Sequence, residues 1–125
     1  MRTLLLLSAL ALFACGEDHG PNMRPGEDCK GCHNNFSLAG TVFSSAQAQA
    51  SEGVSGVTVT VVDSTQNTIT MTTNSVGNFY TGAAVTWPAS ITLALGTRTA
   101  NMPSAPSGAC ASCHTASVQG RVYLP

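Results

Sequence analysis

The chain has 125 residues, of which 43% are hydrophobic and 9% charged, and its formal net charge is −1. That length makes one domain. With a charged fraction far below the about 25% of ordinary soluble domains, there is no basic surplus to grip nucleic-acid phosphates, and the apolar content is the opposite of a disordered composition. Five cysteines, an odd number, and three histidines remain to be explained.

Residues 1–14 read MRTLLLLSALALFA, with Arg2 as a positive start and 4–13 as an apolar run. The run is too short to span a bilayer, which takes about 20 residues, and it predicts an export signal. The sequence Leu12-Phe13-Ala14-Cys15-Gly16 resembles a bacterial lipobox, although Phe13 stands where a small or aliphatic residue is usual. The resemblance implies lipidation at Cys15 and a membrane anchor made of acyl chains. It also implies an exported lipoprotein, periplasmic or at the cell surface. The other reading is an ordinary secretory signal that leaves Cys15 free or removes it. Residues 16–28, rich in Gly, Pro and acids, predict a tether.

The other four cysteines form two pairs with one spacing, Cys29-Lys30-Gly31-Cys32-His33 and Cys110-Ala111-Ser112-Cys113-His114. From composition, about 0.005 such C-x-x-C-H runs are expected by chance, so the short-motif risk is small. Both resemble the haem-attachment motif of c-type cytochromes. The resemblance implies two covalent haem c groups. Cys29, Cys32, Cys110 and Cys113 would form thioethers, and His33 and His114 would be proximal iron ligands. Structural zinc, disulfides and a redox dithiol are the alternatives; zinc and disulfides do not need a histidine after each pair, and a thioredoxin-like dithiol usually needs a βαβ context, which the sequence lacks.

Only His19 is left as a spare histidine, so the two haems cannot both have two histidine ligands from this chain. Met23 and Met102 sit in parallel contexts, Asn22-Met23-Arg24-Pro25 before the first motif and Asn101-Met102-Pro103 before the second. They are candidate distal ligands, with His19 as a further candidate. Met71, inside an alternating run, is expected in the core.

Between the motifs the pattern is all-β. Strands are expected over 36–43, 57–62, 68–73, 78–81, 90–95 and 97–102, from β-branched alternation broken by turn residues. Residues 44–53 predict a loop, with a helical turn conceivable over 46–52. The runs Ala39-Gly40-Thr41-Val42, Val54-Ser55-Gly56-Val57-Thr58-Val59 and Thr72-Thr73-Asn74 with Gly77-Asn78-Phe79-Tyr80 resemble carboxypeptidase regulatory-like domains. That family implies a small Ig-like or transthyretin-like β-sandwich, a hairpin at 72–80 and no catalysis.

The expected organisation is a signal at 1–14, a tether and first C-x-x-C-H segment at 15–35, a β-sandwich at 36–103, and a second motif with its tail at 104–125. An even number of strands between the motifs would return both to one end. The function this predicts is electron transfer by a dihaem c-type cytochrome anchored at the cell envelope, not an enzyme. Its partners would be redox proteins or other cytochromes, with self-association open and nucleic acid excluded. The alternatives are a haem sensor or enzyme with an open iron position, and a non-haem binding module with zinc or disulfides at its ends.

Overall fold

A computed structural model describes residues 20–117 and 119–125. The expected signal at 1–14, Cys15 and His19 lie outside the described residues. The fold is all-β. Its strands are β1 (Leu38–Thr41), β2 (Thr58–Val62), β3 (Thr68–Thr72), β4 (Asn78–Thr81), β5 (Ala89–Leu95) and β6 (Arg98–Ala105). Each corresponds to a strand read from the sequence. Single 3-10 turns lie at Cys29–Gly31 and Cys110–Ser112. No helix among the described residues is long and apolar enough to cross a membrane. Residues 44–53 form successive turns, closed by Ala48 N–H to Ser45 O and Glu52 N–H to Gln49 O, and no helix.

The strands form two sheets, a ribbon of β1 and β4 and a four-stranded sheet in the order β3-β2-β5-β6. All pairings within them are antiparallel. In the larger sheet, alternation sorts the side chains by face. Ile69, Val61, Ile91 and Met102 lie across from one another in one row, and Met71, Val59, Leu93 and Ala100 in the next. These rows pack with Leu38, Val42 and Phe79 from the ribbon side and with Leu124, making one core. The outer face carries the cross-strand row Thr70–Thr60–Thr92, where threonine pairs suit a pleated surface. Thr68, Thr70 and Thr72 of β3 are exposed to solvent. Hydroxyls thus take the place of charges on this face.

β6 runs past its expected end at 102. The pairing slips between Ala89/Ile91 of β5 and Ala105/Met102 of β6. This inserts one extra residue at Pro103-Ser104, where an edge strand tolerates a proline. The turn expected at 74–77 forms, with Asn74 Oδ1 accepting from the Val76 and Asn78 N–H groups. The strands that flank it do not form the expected hairpin. β3 stays in the large sheet, while β4 leaves to pair with β1. The reason lies at Gly77, which has φ +85° and sits against Val42 O and Val54 N, where a Cβ would come within 2.5 and 2.7 Å. The chain is therefore passed directly to β1 at this point.

Asp63 organises the β2–β3 connection. One carboxylate oxygen accepts from Thr65 N–H (2.9 Å), Thr65 Oγ1 (2.7 Å) and Asn67 N–H (2.9 Å). The other accepts from Thr86 N–H at 3.1 Å. The Thr65 hydroxyl, then the backbone donors, hold this carboxyl down at about 2. A depressed carboxylate contributes stability that is complete above its unfolded pKa and is lost as pH falls through the folded one. Thermal melts should therefore show the protein weakening from about pH 4 toward pH 2. Asp63→Asn should be less stable at neutral pH and should lose part of that acid sensitivity.

Candidate functional site

The two Cys-x-x-Cys-His segments adopt one backbone conformation. In the first turn Cys32 N–H and His33 N–H both point at Cys29 O, at 3.2 and 2.8 Å. In the second, Cys113 N–H and His114 N–H point at Cys110 O, at 3.2 and 2.9 Å. The closing cysteines have φ/ψ of −115/−29° and −116/−37°. Each first thiol lies against the carbonyl two residues earlier, Glu27 O (3.7 Å) and Gly108 O (3.9 Å). One tight turn thus puts two sulfurs and a following imidazole at one place, twice.

Both turns pack on β1. The first leads straight into it. The second returns beside it through Ala39 N–H to Gly108 O (3.0 Å) and a parallel bridge between Ala39 and Ala109. At Gly40 a Cβ would come within 2.9 Å of Cys110 Cβ and 2.8 Å of Phe79 Cζ, so only glycine lets this turn lie so close.

Each motif lines its own cavity. One, of about 400 Å³, is bounded by Cys29, Cys32, His33, Met23, Asn78 and Tyr80. The other, of about 200 Å³, is bounded by Cys110, Cys113, His114, Met102 and Phe79, among others. Alternation along β4 explains the division, since Asn78 and Tyr80 point to one face and Phe79 to the other. The β1–β4 ribbon is the partition between the two cavities. Met23 and Met102, read from the sequence as candidate ligands, are each brought to the motif that follows them. Met71 is on the inner face of the large sheet, packed against the core. One guanidinium borders each cavity, Arg24 in the first and Arg121 in the second.

The imidazoles are held differently. His114 Nδ1 is 3.2 Å from Gly120 O. A carbonyl only accepts, so Nδ1 is the donor here and Nε2 is the nitrogen left to face a ligand. His33 stacks on Phe36 (4.9 Å, 28°), and Phe36 stacks on Tyr80 (4.9 Å, 22°). The expected first strand begins at residue 36, but Phe36 precedes β1 and serves this stack instead.

Burial, with Asp28 and Glu27 adding to it, pushes the Cys29 thiol up. Burial also pushes Cys110 up to about 12, with Cys29 and Asp28 contributing across the partition. A redox dithiol needs the opposite shift. Cys29, Cys110 and Cys113 are free thiols, while Cys32 is disulfide-bonded. Neither Cys-x-x-Cys pair is therefore closed on itself. No group of three or more His, Cys, Asp or Glu among the described residues is placed to hold a metal ion.

The segment read as a tether is docked over its described part. Asn78 Nδ2 donates to Pro21 O (3.1 Å) and Met23 O (2.9 Å), and Asn74 Nδ2 donates to Pro21 O (2.5 Å). Thr41 Oγ1 donates to Asn78 Oδ1 (2.7 Å) and accepts from Gly26 N–H (2.8 Å). Nothing in the sequence marks Asn78 and Thr41 for this role, and Asn78 reads there only as part of a turn motif. No family model, no curated protein and no solved structure matches the chain, so the reading of its function rests on the chemistry of the two cavities.

Proposed function

We propose that this is a dihaem c-type cytochrome that transfers electrons and catalyses no reaction of its own. The observation that supports it is the duplication of the motif geometry. Two turns of one conformation each gather two sulfurs, a histidine and a methionine around a separate cavity, on opposite faces of a two-stranded ribbon. The donor set suits haem c. In each cavity the two cysteine sulfurs would hold the group covalently, and the histidine and methionine would supply its iron ligands. Thioether formation adds S–H across a vinyl double bond, so no electrons are gained or lost. Cys32 would have to be a free thiol in the haem-bound form. Haem, when bound, supplies the one-electron couple. The chain's own contribution is ligation, spacing and partial cover.

His33, with its stacked Phe36, and His114, with its Gly120 bond, would be the proximal ligands. Met23 and Met102 would be the distal ones. Arg24 and Arg121, which border the two cavities, would supply positive charge for porphyrin carboxylates. The second cavity, of about 200 Å³, falls below the about 300–1,000 Å³ usual for enclosed ligands, which favours a partly exposed group there; the first, of about 400 Å³, lies within that range. On this reading the strands belong to a transthyretin-like sandwich. The chain would be exported, anchored through Cys15, and oxidised or reduced by other redox proteins. Zinc is less well supported, because a zinc site does not need the histidine that follows each pair.

The test is a pyridine-haemochrome assay on the full chain exported by a host with haem-attachment machinery. Two covalent haems per chain are expected, with low-spin spectra and a methionine–iron charge-transfer band. Cys110→Ala/Cys113→Ala should retain only the first haem. Fewer than two haems in the wild type overturns the proposal.

A further inference from the structure

The two methionines reach their cavities by different means. Met102 is part of β6, in register with Ile91 and flanked by paired residues on one side and the bulge on the other. Its backbone is fixed by the sheet. Met23 lies on the segment that precedes the first turn, in no strand. A buried side chain holds its carbonyl, that of Asn78, which is 5% exposed. The same amide holds Pro21 O, and its oxygen is oriented by Thr41, which also takes the Gly26 N–H. Asn78 and Thr41, one on each strand of the ribbon, thus join the sheet to the segment at both ends of the stretch 21–26.

From this asymmetry, and resting on the haem reading above, we infer that Asn78 is the positioning residue that delivers Met23 to the first haem. The first haem is consequently the one whose distal position opens to a small diatomic ligand when the segment is released. The second would hold its methionine more firmly, because the Met102 backbone is fixed in the β5–β6 ladder. Asn78 never touches the iron in this scheme. It acts through the Met23 carbonyl, so a change at Asn78 should reproduce a change at Met23 and leave Met102 untouched. The Asn78 and Thr41 side chains are fully paired in the folded chain, and no other buried polar side chain among the described residues is left without a partner. Their hydrogen bonds are therefore directed at residues 21–26 rather than left over.

The experiment uses the haem-loaded full chain. Asn78→Ser shortens the side chain beyond reach of Met23 O, and Thr41→Val removes the orienting hydroxyl while keeping its shape. Haem content is measured first by pyridine haemochrome. The wild type should bind no carbon monoxide when reduced. Asn78→Ser should bind one per chain and lose about half of the methionine–iron charge-transfer absorbance. Met23→Ala should do the same, and the double variant should bind no more than either. A readout that needs no haem is hydrogen exchange of the Gly26 amide, which should accelerate roughly tenfold in both Asn78→Ser and Thr41→Val. Full charge-transfer absorbance in Asn78→Ser with unchanged Gly26 exchange overturns the assignment, as does a wild type that already binds carbon monoxide. A haem count below two in the wild type is a different result, and it defeats the parent proposal instead. Should Asn78→Ser fail to fold, the same measurements on Thr41→Val decide the assignment in the same way.

Discussion

Phe43→Ala is expected to cost about 3–5 kcal/mol of stability, out of the 5–15 kcal/mol typical of a domain. The ring is 1% exposed yet lies apart from the main core cluster. It occupies the point where three segments meet. The residue's backbone N–H donates to Val122 O at 2.8 Å, and it bridges to both Gly53 and Tyr123. The Arg121 guanidinium lies over the ring at 4.3 Å, a contact worth about 0.5–2 kcal/mol. Beside the guanidinium, a Cβ at Gly26 would come within 2.9 Å of the ring's Cζ edge and within 3.1 Å of Arg121 Cζ, so the N-terminal segment packs against both. Truncation leaves a cavity between the segment that carries Met23 and the one that carries Arg121. Denaturant titration should show the loss, with a Tm lower by roughly 10–25 °C. Phe43→Leu should recover most of it. A loss under about 1 kcal/mol for the alanine variant would mean that the ring does not staple these segments together.

Gly108→Ala is expected to strike one motif and spare the other. A Cβ there lands on Ser37 O and comes within 2.7 Å of Leu38 Cα. Both are backbone atoms of the β1 entry, so neither can swing away. Overpacking costs about 1–3 kcal/mol and occasionally more, and contact with backbone belongs at the upper end. The least disruptive response is to lift the second turn off β1, breaking the bond from Ala39 N–H to Gly108 O. The Cys110 thiol should then lose its burial and react faster with alkylating reagents in the haem-free chain. On the proposed haem reading, haem content should fall toward one per chain, since the first turn, on the other face of the ribbon, is not displaced. Equal loss at both motifs would contradict the partition.

The strands are legible in the sequence because valine and threonine alternate so regularly that each face can be read from the residues themselves. Val59 and Val61 go inward, and Thr58 and Thr60 outward. Pairing is not legible. A turn such as Asn74–Gly77 looks the same whether its flanking strands pair or part, and the close approach of Gly77 to Val42 and Val54 is a long-range contact. The expectation that strand parity returns the second motif to the first names the right neighbourhood for another reason. The strands do not run up and down in sequence order. The second turn comes back because Gly108 bonds to Ala39 beside β1. At the candidate site, the cysteines, His33, His114, Met23 and Met102 are legible because their types and spacing repeat. Asn78 and Thr41 are not, since Asn78 lies 55 residues from Met23 and nothing local marks either as its support. Phe36 reads as strand because aromatic residues favour strands, whereas here the ring is held by His33 and Tyr80.

A sheet face made of threonine hydroxyls projects almost no long-range field. Proteins that meet fast do so by charge steering, and their association rates fall steeply with ionic strength. With 9% charged residues and the row Thr70–Thr60–Thr92 on its outer face, this chain has little to steer with. Its encounters should proceed at the unsteered rate of about 10⁵–10⁶ M⁻¹s⁻¹ and change little between dilute buffer and concentrated salt. Such a molecule gains speed from being held near its partner, which is what tethering to a surface provides by raising effective concentration.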